Sequence, residues 1–535
     1  MRPSKSRLLL LLFAVLAGLS SVVVEAQTFT TLHNFNETDG CCSTYPGMMA
    51  QGRDGNIYGT TLQGGTYLYG NVFKMTPAGT VTSIHSFDLT HGAYPQGGIS
   101  LAQDGNFYGT TYQGGVNHYG TVFKITPSGT FTELYDFTNT TDGAYPKTPP
   151  VQAQDGNLYG TTGNGTIAVL YKITPAGVFT VMKTIASQSY SPLLLGLDGN
   201  LYGTTLYGGT YNEGTVFQFS PATKVLKTIW NFHNEYSPTG PLMQGLDSAL
   251  YGTASTGGSG DGGAVFRLTI AGVYKLLYSF TVTGTADGRH PMAGVVQGSD
   301  KMLYGATMAG GANGLGTLFK ISVTGTGFKD IHDFATGTGD TPESALLLHS
   351  NGKIYGMTSH GGTHVSDGVV YSLNANLKPF IQPVVLHAAK VGGTVQLLGQ
   401  NFKTETAVLF GSTAATATVT SNTFMTAKPT AGSTTAPITV DEPSGNLATA
   451  VNFKIIPTLT GFTPGSGTVG SQVTITGMSF SQATAVKFGG VAATTFIVNS
   501  DTKITATVPS GAVTGKISVV TPGGTGLSAT SFTVN

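Results

Sequence analysis

Residues 57–81 read IYGTTLQGGTYLYGNVFKMTPAGTV, and residues 107–131 read FYGTTYQGGVNHYGTVFKITPSGTF. The Tyr-Gly pair at their start recurs at Tyr58, Tyr108, Tyr159, Tyr202, Tyr251, Tyr304 and Tyr355, with spacings of 50, 51, 43, 49, 53 and 51 residues. Four residues before each stands Asp54, Asp104, Asp155, Asp198, Asp247, Asp300 or Asn351. An apolar–aromatic position follows each Gly-rich stretch: Phe73, Phe123, Tyr171, Phe217, Phe266, Phe319 and Tyr371. Seven copies at this period predict a repeat architecture, and the period suits one propeller blade per copy.

One unit divides into four strands. GGISLAQ (97–103) leads into a DGN turn, and FYGTTYQ (107–113) into a Gly-rich loop. TVFKIT (121–126) and a PSG turn then precede TFTELYDF (130–137). Asp-Gly and Pro-Ser-Gly supply tight turns, and the strands are rich in aromatic and β-branched residues. The fourth-strand signature begins at Leu32–Phe35, before the first Tyr-Gly, and returns at Ile84–Phe87, Leu134–Phe137, Met182–Ile185, Ile229–Phe232, Leu277–Phe280 and Ile331–Phe334. The last unit, ending VVYSLN, has no copy after it. TFTTLHNF (28–35) is therefore predicted to supply the fourth strand of the seventh blade, which removes two open sheet edges. The Gly of each Tyr-Gly would allow a close approach, and the Asp would cap its own turn.

The first 26 residues combine a basic start, an apolar run LLLLLFAVLAGLSSVVV and small residues before Gln27, the pattern of a cleaved secretory signal peptide. The alternative is an uncleaved anchor, since the run is near the roughly 20 residues that span a bilayer. Cleavage removes Arg2, Lys5, Arg7 and Glu25, leaving 23 basic against 25 acidic residues. That balance gives no electrostatic reason to expect nucleic acid or an anionic membrane. Charged residues make up 10% of the chain and Gly numbers 76, the composition of a turn-dense, all-β secreted protein. The expected location is extracellular or at the cell surface, with no covalent anchor visible in ATSFTVN.

After Asn374 the pattern changes. NANLKPFIQP reads as a linker, and two shorter units follow. VQLLGQNF (395–402) aligns with VTITGMSF (473–480), and AVLFGSTAA (407–415) with AVKFGGVAA (485–493). Each is predicted to be a small β-sandwich of Ig-like type. The expected organisation is a signal peptide at 1–26, a propeller at 27–374, and sandwiches at 375–456 and 457–535.

The second unit, from GFTPGSGTVGSQVTITG through VKFGG to TGKISVVTPGG, resembles the IPT/TIG immunoglobulin-like domain. The first resembles it less, having VVLHAAKVGG in place of the Pro-x-Ser-Gly opening. In that family such domains act as spacers or adhesion modules of bacterial surface proteins. Residues 28–374 are similar to the bacterial secreted tandem-repeat family called GloVer, with units of the form YGTTxxGGxxxxGTVFKITPxG. This resemblance implies an extracellular propeller-like protein with no assigned activity. Unit three departs most, its TTGNGTIAVLYKI shortening the loop.

Candidate site residues come from the blade-to-blade loops: Tyr45, Tyr94, Tyr145, Tyr190, Tyr236 and His290, nearly all just before a Pro. Tyr67, Tyr69, His118, Tyr119, Tyr207, Tyr211 and His364 lie in loops expected on the same face. A ring of Tyr and His at a channel mouth could stack on sugar rings, and the alternative is that Tyr-Pro packs each loop on the next blade. No catalytic motif stands out: there is no Gly-x-Ser-x-Gly elbow and no His-Glu-x-x-His. Glu37, Glu133, Glu213, Glu235, Asp261 and Glu343 are the acids that escape the repeat. No metal site or cofactor is expected, calcium at the Asp-Gly-Asn turns being the lesser alternative. His33, His85 and His332 read as surface members of the outer strand.

Adjacent Cys41 and Cys42 could form a vicinal disulfide in an oxidising compartment or remain loop thiols. The favoured function is a monomeric binding or adhesion protein. The propeller would be its recognition head, the sandwiches its stalk, and an extracellular polymer or surface protein its partner, with carbohydrate the guessed ligand. The rivals are a polysaccharide-degrading glycosidase or lyase and a purely structural envelope protein.

Overall fold

The unit opened by Tyr108 forms one antiparallel sheet whose strands follow chain order: Ile99–Leu101, Phe107–Thr111, Thr121–Ile125 and Phe131–Asp136. The computed structural model describes residues 27–535 apart from 44–45, 164–166, 186, 283–286, 404–405 and 443–444, with residues 235–236 described by backbone alone. The expected signal peptide at 1–26 lies outside the described residues.

Phe107–Thr111 is buried at every position, whereas Phe131–Asp136 is half-buried or exposed. The second strand is enclosed by neighbouring sheets on both faces, so it reads as an unbroken apolar and Thr run rather than an alternating one. Gly109 pairs with Phe123, and a Cβ there would stand 2.4 Å from Phe123 Cζ. The glycine of Tyr-Gly thus makes room for the ring of the third strand. At the first turn, Asp104 Oδ1 accepts the Asn106 N–H at 3.0 Å, the capping role expected of it. Its Oδ2 also accepts the Tyr108 hydroxyl at 2.8 Å.

Among the described residues, seven such sheets occupy 28–374. Each Tyr-Gly tyrosine packs across to the following sheet: Tyr58 meets Phe107, Tyr108 meets Leu158, and Tyr159 meets Leu201. The series continues with Tyr202 on Leu250, Tyr251 on Leu303 and Tyr304 on Ile354. Tyr355 of the last sheet shares a core with Ile57 of the first, so the series closes on itself. Thr28–Asn34 pairs with Val369–Asn374 as the outer strand of that last sheet.

Two expectations need correction. The fifth sheet has six strands, not four. Glu235–Tyr236 and Thr256–Gly257 pair as an added ladder, and Gly257 bridges Gly262 at the start of Asp261–Leu268. The Gly-rich stretch after Ser255 lets the chain turn tightly enough for this. Of the outer-strand histidines, His33 is half-buried and pairs with Asp39 at 2.9 Å, and His85 and His332 are not surface residues. His85 lies flat on Phe131 at 4.1 Å and His332 on Phe29 at 3.7 Å, as Tyr135 does on Phe179 and Trp230 on Tyr274. Each stacks on the aromatic that opens the next outer strand, and burial pushes the His85 imidazole down to about 4.

Beyond the ring, Val395, Leu397 and Met425 of one sheet face Val408, Phe410 and Val440 of another. Val473, Ile475 and Ile504 face Val486, Ile517 and Val519 in the same way. The stretch read as a linker is pinned down. Leu377 and Ile381 are buried, and the Phe380 N–H donates to Ser350 O at 3.1 Å. The first sandwich then sits on the face carrying the Asp turns. Arg53 donates to Gln396 Oε1 at 2.7 Å and lies over Phe424, Ser350 Oγ donates to Gly399 O, and Lys454 Nζ donates to Leu197 O.

Candidate functional site

The opposite face carries the loops between second and third strands and those from one sheet to the next. Tyr94 is representative of the latter. Its φ of 58° is left-handed, which disfavours most side chains and more so before Pro95. The position is held from both sides: Tyr94 N–H donates to Tyr69 O of the preceding sheet, and Tyr112 N–H of the following sheet donates to Tyr94 O, both at 2.9 Å. Pro95 fits against Gly70, where a Cβ would come within 2.6 Å of Pro95 Cδ. The residue before the proline is therefore a clasp between two sheets.

The same clasp recurs with other residues. His290 N–H donates to Gly262 O and its carbonyl accepts from Met308; Thr341 bridges Leu315 and Ser359. Tyr145 N–H donates to Tyr119 O at 2.8 Å. Of the six predicted residues, Tyr94, Tyr145 and His290 occupy this station, each with positive φ. Tyr45 lies outside the described residues, and its sheet uses Cys42, which bridges Asp367 and Leu62 with a φ of 58°. Tyr236 is described by backbone alone, as a strand residue paired with Thr256, and Ser237 is the clasp there. At the fourth sheet Gln188 accepts the Leu206 N–H, and Tyr190 stands two residues on. Cys42, Tyr94 and Thr341 each follow their Phe (Phe35, Phe87, Phe334) by seven residues, whatever precedes the proline. Distance from the outer strand alone does not fix the station, since Tyr145, Ser237 and His290 follow Phe137, Phe232 and Phe280 by eight, five and ten residues.

The side chains divide the ring unevenly. Tyr112 and Tyr145 lie 5.3 Å apart, and Tyr119 meets Tyr145 edge-on at 5.6 Å. Lys147 Nζ stands 3.8 Å from the centre of the Tyr190 ring and 5.2 Å from that of Tyr112. Gln188 Nε2 donates to the Tyr190 hydroxyl at 3.1 Å. Burial pushes the Tyr112 and Tyr190 hydroxyls up and the Lys147 ammonium down. Tyr69 and Tyr94 form a smaller pair, while Tyr67, Tyr207 and Tyr211 are exposed.

Sequence reading missed Lys147, although a signal existed. The residues immediately after the loop prolines are Gly47, Gln96, Lys147, Leu193, Thr239, Met292 and Glu343, and only Lys147 and Glu343 are charged. Burial pushes the Glu343 carboxyl up to about 7. The other irregular acids go elsewhere. Glu133 is on an outer strand, where its pKa is raised by burial, and Glu213 accepts the Asn234 N–H.

Cys41 and Cys42 are both thiols, their Sγ atoms 2.7 Å apart, and the shared hydrogen bond lowers the Cys42 pKa and raises that of Cys41. Among the described residues no three His, Cys, Asp or Glu side chains gather as a metal site would require. Both oxygens of Asp104 already accept hydrogen bonds, from the Asn106 backbone N–H and side-chain amide and the Tyr108 hydroxyl. At the other mouth, a cavity of about 390 Å³ lies between the inner strands and the first sandwich, lined by Leu194, Met243, Val296, Leu348, His387 and Val451.

A family model described as the Gloeobacter/Verrucomicrobia repeat matches residues 18–192, 184–288 and 237–489, and the IPT/TIG domain model matches 457–534. No curated protein matches the chain. Solved structures similar to it include an oligogalacturonate lyase from Vibrio parahaemolyticus, at 10% identity and a TM-score of 0.43, covering 65% of this chain and 96% of that one. A fungal alcohol oxidase in complex with copper has 12% identity and a TM-score of 0.43, covering 78% and 98%. A surface glycan-binding protein from Prevotella bryantii has 20% identity and a TM-score of 0.22, covering 29% and 41%. Likeness at this level carries no argument about activity. Among the described residues no helix is long and apolar enough to cross a membrane.

Proposed function

The chain belongs to the Gloeobacter/Verrucomicrobia repeat family, and from that premise we propose that it is a secreted or cell-surface binding protein whose ring is a seven-bladed propeller serving as recognition head. Residues 27–374 form the head, and 375–456 and 457–535 form a two-domain base that holds it away from its attachment point. The ligand is an extracellular carbohydrate, bound at the tyrosine-bearing loop face.

One observation carries this reading. The first sandwich covers the Asp-turn face through Arg53, Ser350 and Lys454, and among the described residues the loop face carries the half-buried Tyr94, Tyr112, Tyr145 and Tyr190 on the opposite side from it. Such tyrosines offer a ring face to a sugar and a hydroxyl to its polar edge. A glycan-array screen of residues 27–535 against a Tyr94→Ala/Tyr145→Ala double variant tests it. Binding that the variant loses supports the site, and absence of binding to every glycan removes carbohydrate as the ligand.

The enzyme alternative draws on Glu343, whose carboxyl is pushed up to about 7 by burial in the loop before the inner strand Leu347–Leu348, where a general acid would be useful. Release of reducing ends from a bound polysaccharide, abolished by Glu343→Gln, would favour it over pure binding.

A further inference from the structure

Four cation–aromatic contacts occur in the described residues, and they differ in one respect. Lys74, over Tyr58, pairs with Asp54 at 2.7 Å, and Arg53, over Phe424, donates to Gln396. Lys147 makes the other two contacts, with Tyr190 and Tyr112, and among the described residues it forms no ion pair. A half-buried ammonium has lost part of its hydration, and ring faces return only part of that loss. The charge is stabilised most by an anion that arrives from outside.

The surroundings of Lys147 are fixed beforehand. The Tyr145 backbone is held by Tyr119 O, Gln188 orients the Tyr190 hydroxyl, and Tyr112 leans on Tyr145. Preorganised aromatic groups lose little entropy on binding. Lys147 also breaks the repeat: the equivalent residues of the flanking sheets are Gln96 and Leu193. An architectural residue would recur with the period, and this one does not.

We infer that Tyr112, Tyr145 and Tyr190, with Lys147 among them, form a subsite for an anionic sugar, its ring face on a tyrosine and its carboxylate or sulfate paired with the Lys147 ammonium. This rests on the glycan-binding reading above and names the class of glycan.

The test is calorimetric titration of residues 27–535 in 0.15 M salt with oligogalacturonate (carboxylate), a chondroitin sulfate oligosaccharide (sulfate as well) and a neutral xylo-oligosaccharide. The expected result is binding of an anionic probe about tenfold or more tighter than the neutral one, the scale of one close charge pair. Lys147→Gln should remove that preference with its thermal unfolding unchanged, and Lys147→Arg should keep it. Galacturonate binding as tightly as the sulfated probe assigns the carboxylate as sufficient; a preference for chondroitin sulfate assigns the sulfate. Equal binding of neutral and anionic probes, or Lys147→Gln behaving as wild type, overturns the anion assignment and leaves glycan binding standing. No binding of any of the three probes overturns the anionic-sugar subsite, while the array screen decides separately whether any other glycan binds.

Discussion

Tyr108 donates its hydroxyl to Oδ2 of Asp104, four residues earlier in the chain, and the same bond recurs at Tyr58, Tyr159, Tyr202, Tyr251 and Tyr304. In the last sheet the partner is Asn351, whose amide donates to the Tyr355 hydroxyl at 2.9 Å. Hydrogen bonds to a charged group stabilise more than neutral ones, so Tyr108→Phe should cost about 1.5–3 kcal/mol and Tyr355→Phe about 1 kcal/mol in urea unfolding. Equal losses at the two sites would show that the carboxylate charge adds nothing.

Gly109→Ala places a methyl group against the Phe123 ring. It should destabilise by about 1–3 kcal/mol, as overpacked cores do. Phe123→Leu, which shortens the facing side chain, should recover part of the loss in the double variant. Additive losses would mean that the backbone conformation rather than the ring sets the requirement.

Removal of residues 27–35 strips the outer strand from the last sheet, exposing the edge of Val369–Asn374 and uncovering His332, on which Phe29 stacks. An open edge pairs with other chains. The shortened protein should elute as oligomers in size-exclusion chromatography and melt at a lower temperature. A monomeric, equally stable product would show that closure by this strand is dispensable.

Glu343 has a folded pKa raised to about 7 by burial, so its unfolded carboxyl ionises more readily. Its protonated form supports the fold fully below the unfolded value of about 4.3, and that support is lost as pH rises towards 7. Glu343→Gln should therefore raise the melting temperature relative to wild type at pH 8 more than at pH 5. His85, pushed down to about 4, acts oppositely. Its neutral form supports the fold above about 6.5, and that support fades as pH falls towards 4. A Glu343→Gln difference that does not vary with pH would remove the buried-acid account.

Arg53 links the ring to the first sandwich through Gln396 and Phe424. Arg53→Ala should loosen this seat without unfolding either part. Calorimetry should then show the sandwich transition separating from that of the ring, and proteases should cut residues 375–384 faster. A single unchanged transition would place the coupling in the linker contacts of Leu377 and Phe380 instead.

The repeat itself determined much of this protein. The period of about 50 residues, the Asp-Gly and Pro-Ser-Gly turns and the displaced Leu-x-x-Phe signature mark strand order, turn positions and the pairing of Thr28–Asn34, because these depend on local backbone preferences and side-chain alternation. The IPT/TIG match over 457–534 was likewise legible in its opening and hairpin. Tertiary structure alone decided what crosses between units. The stacking of His85 on Phe131, the seating of the first sandwich through Arg53 and the clasp station itself depend on which surfaces meet. A tyrosine before a proline looks the same in every loop. Whether it reaches Lys147, as Tyr190 does, or yields the clasp to Ser237, as Tyr236 does, is set by a shift of one or two residues that only the packed ring resolves.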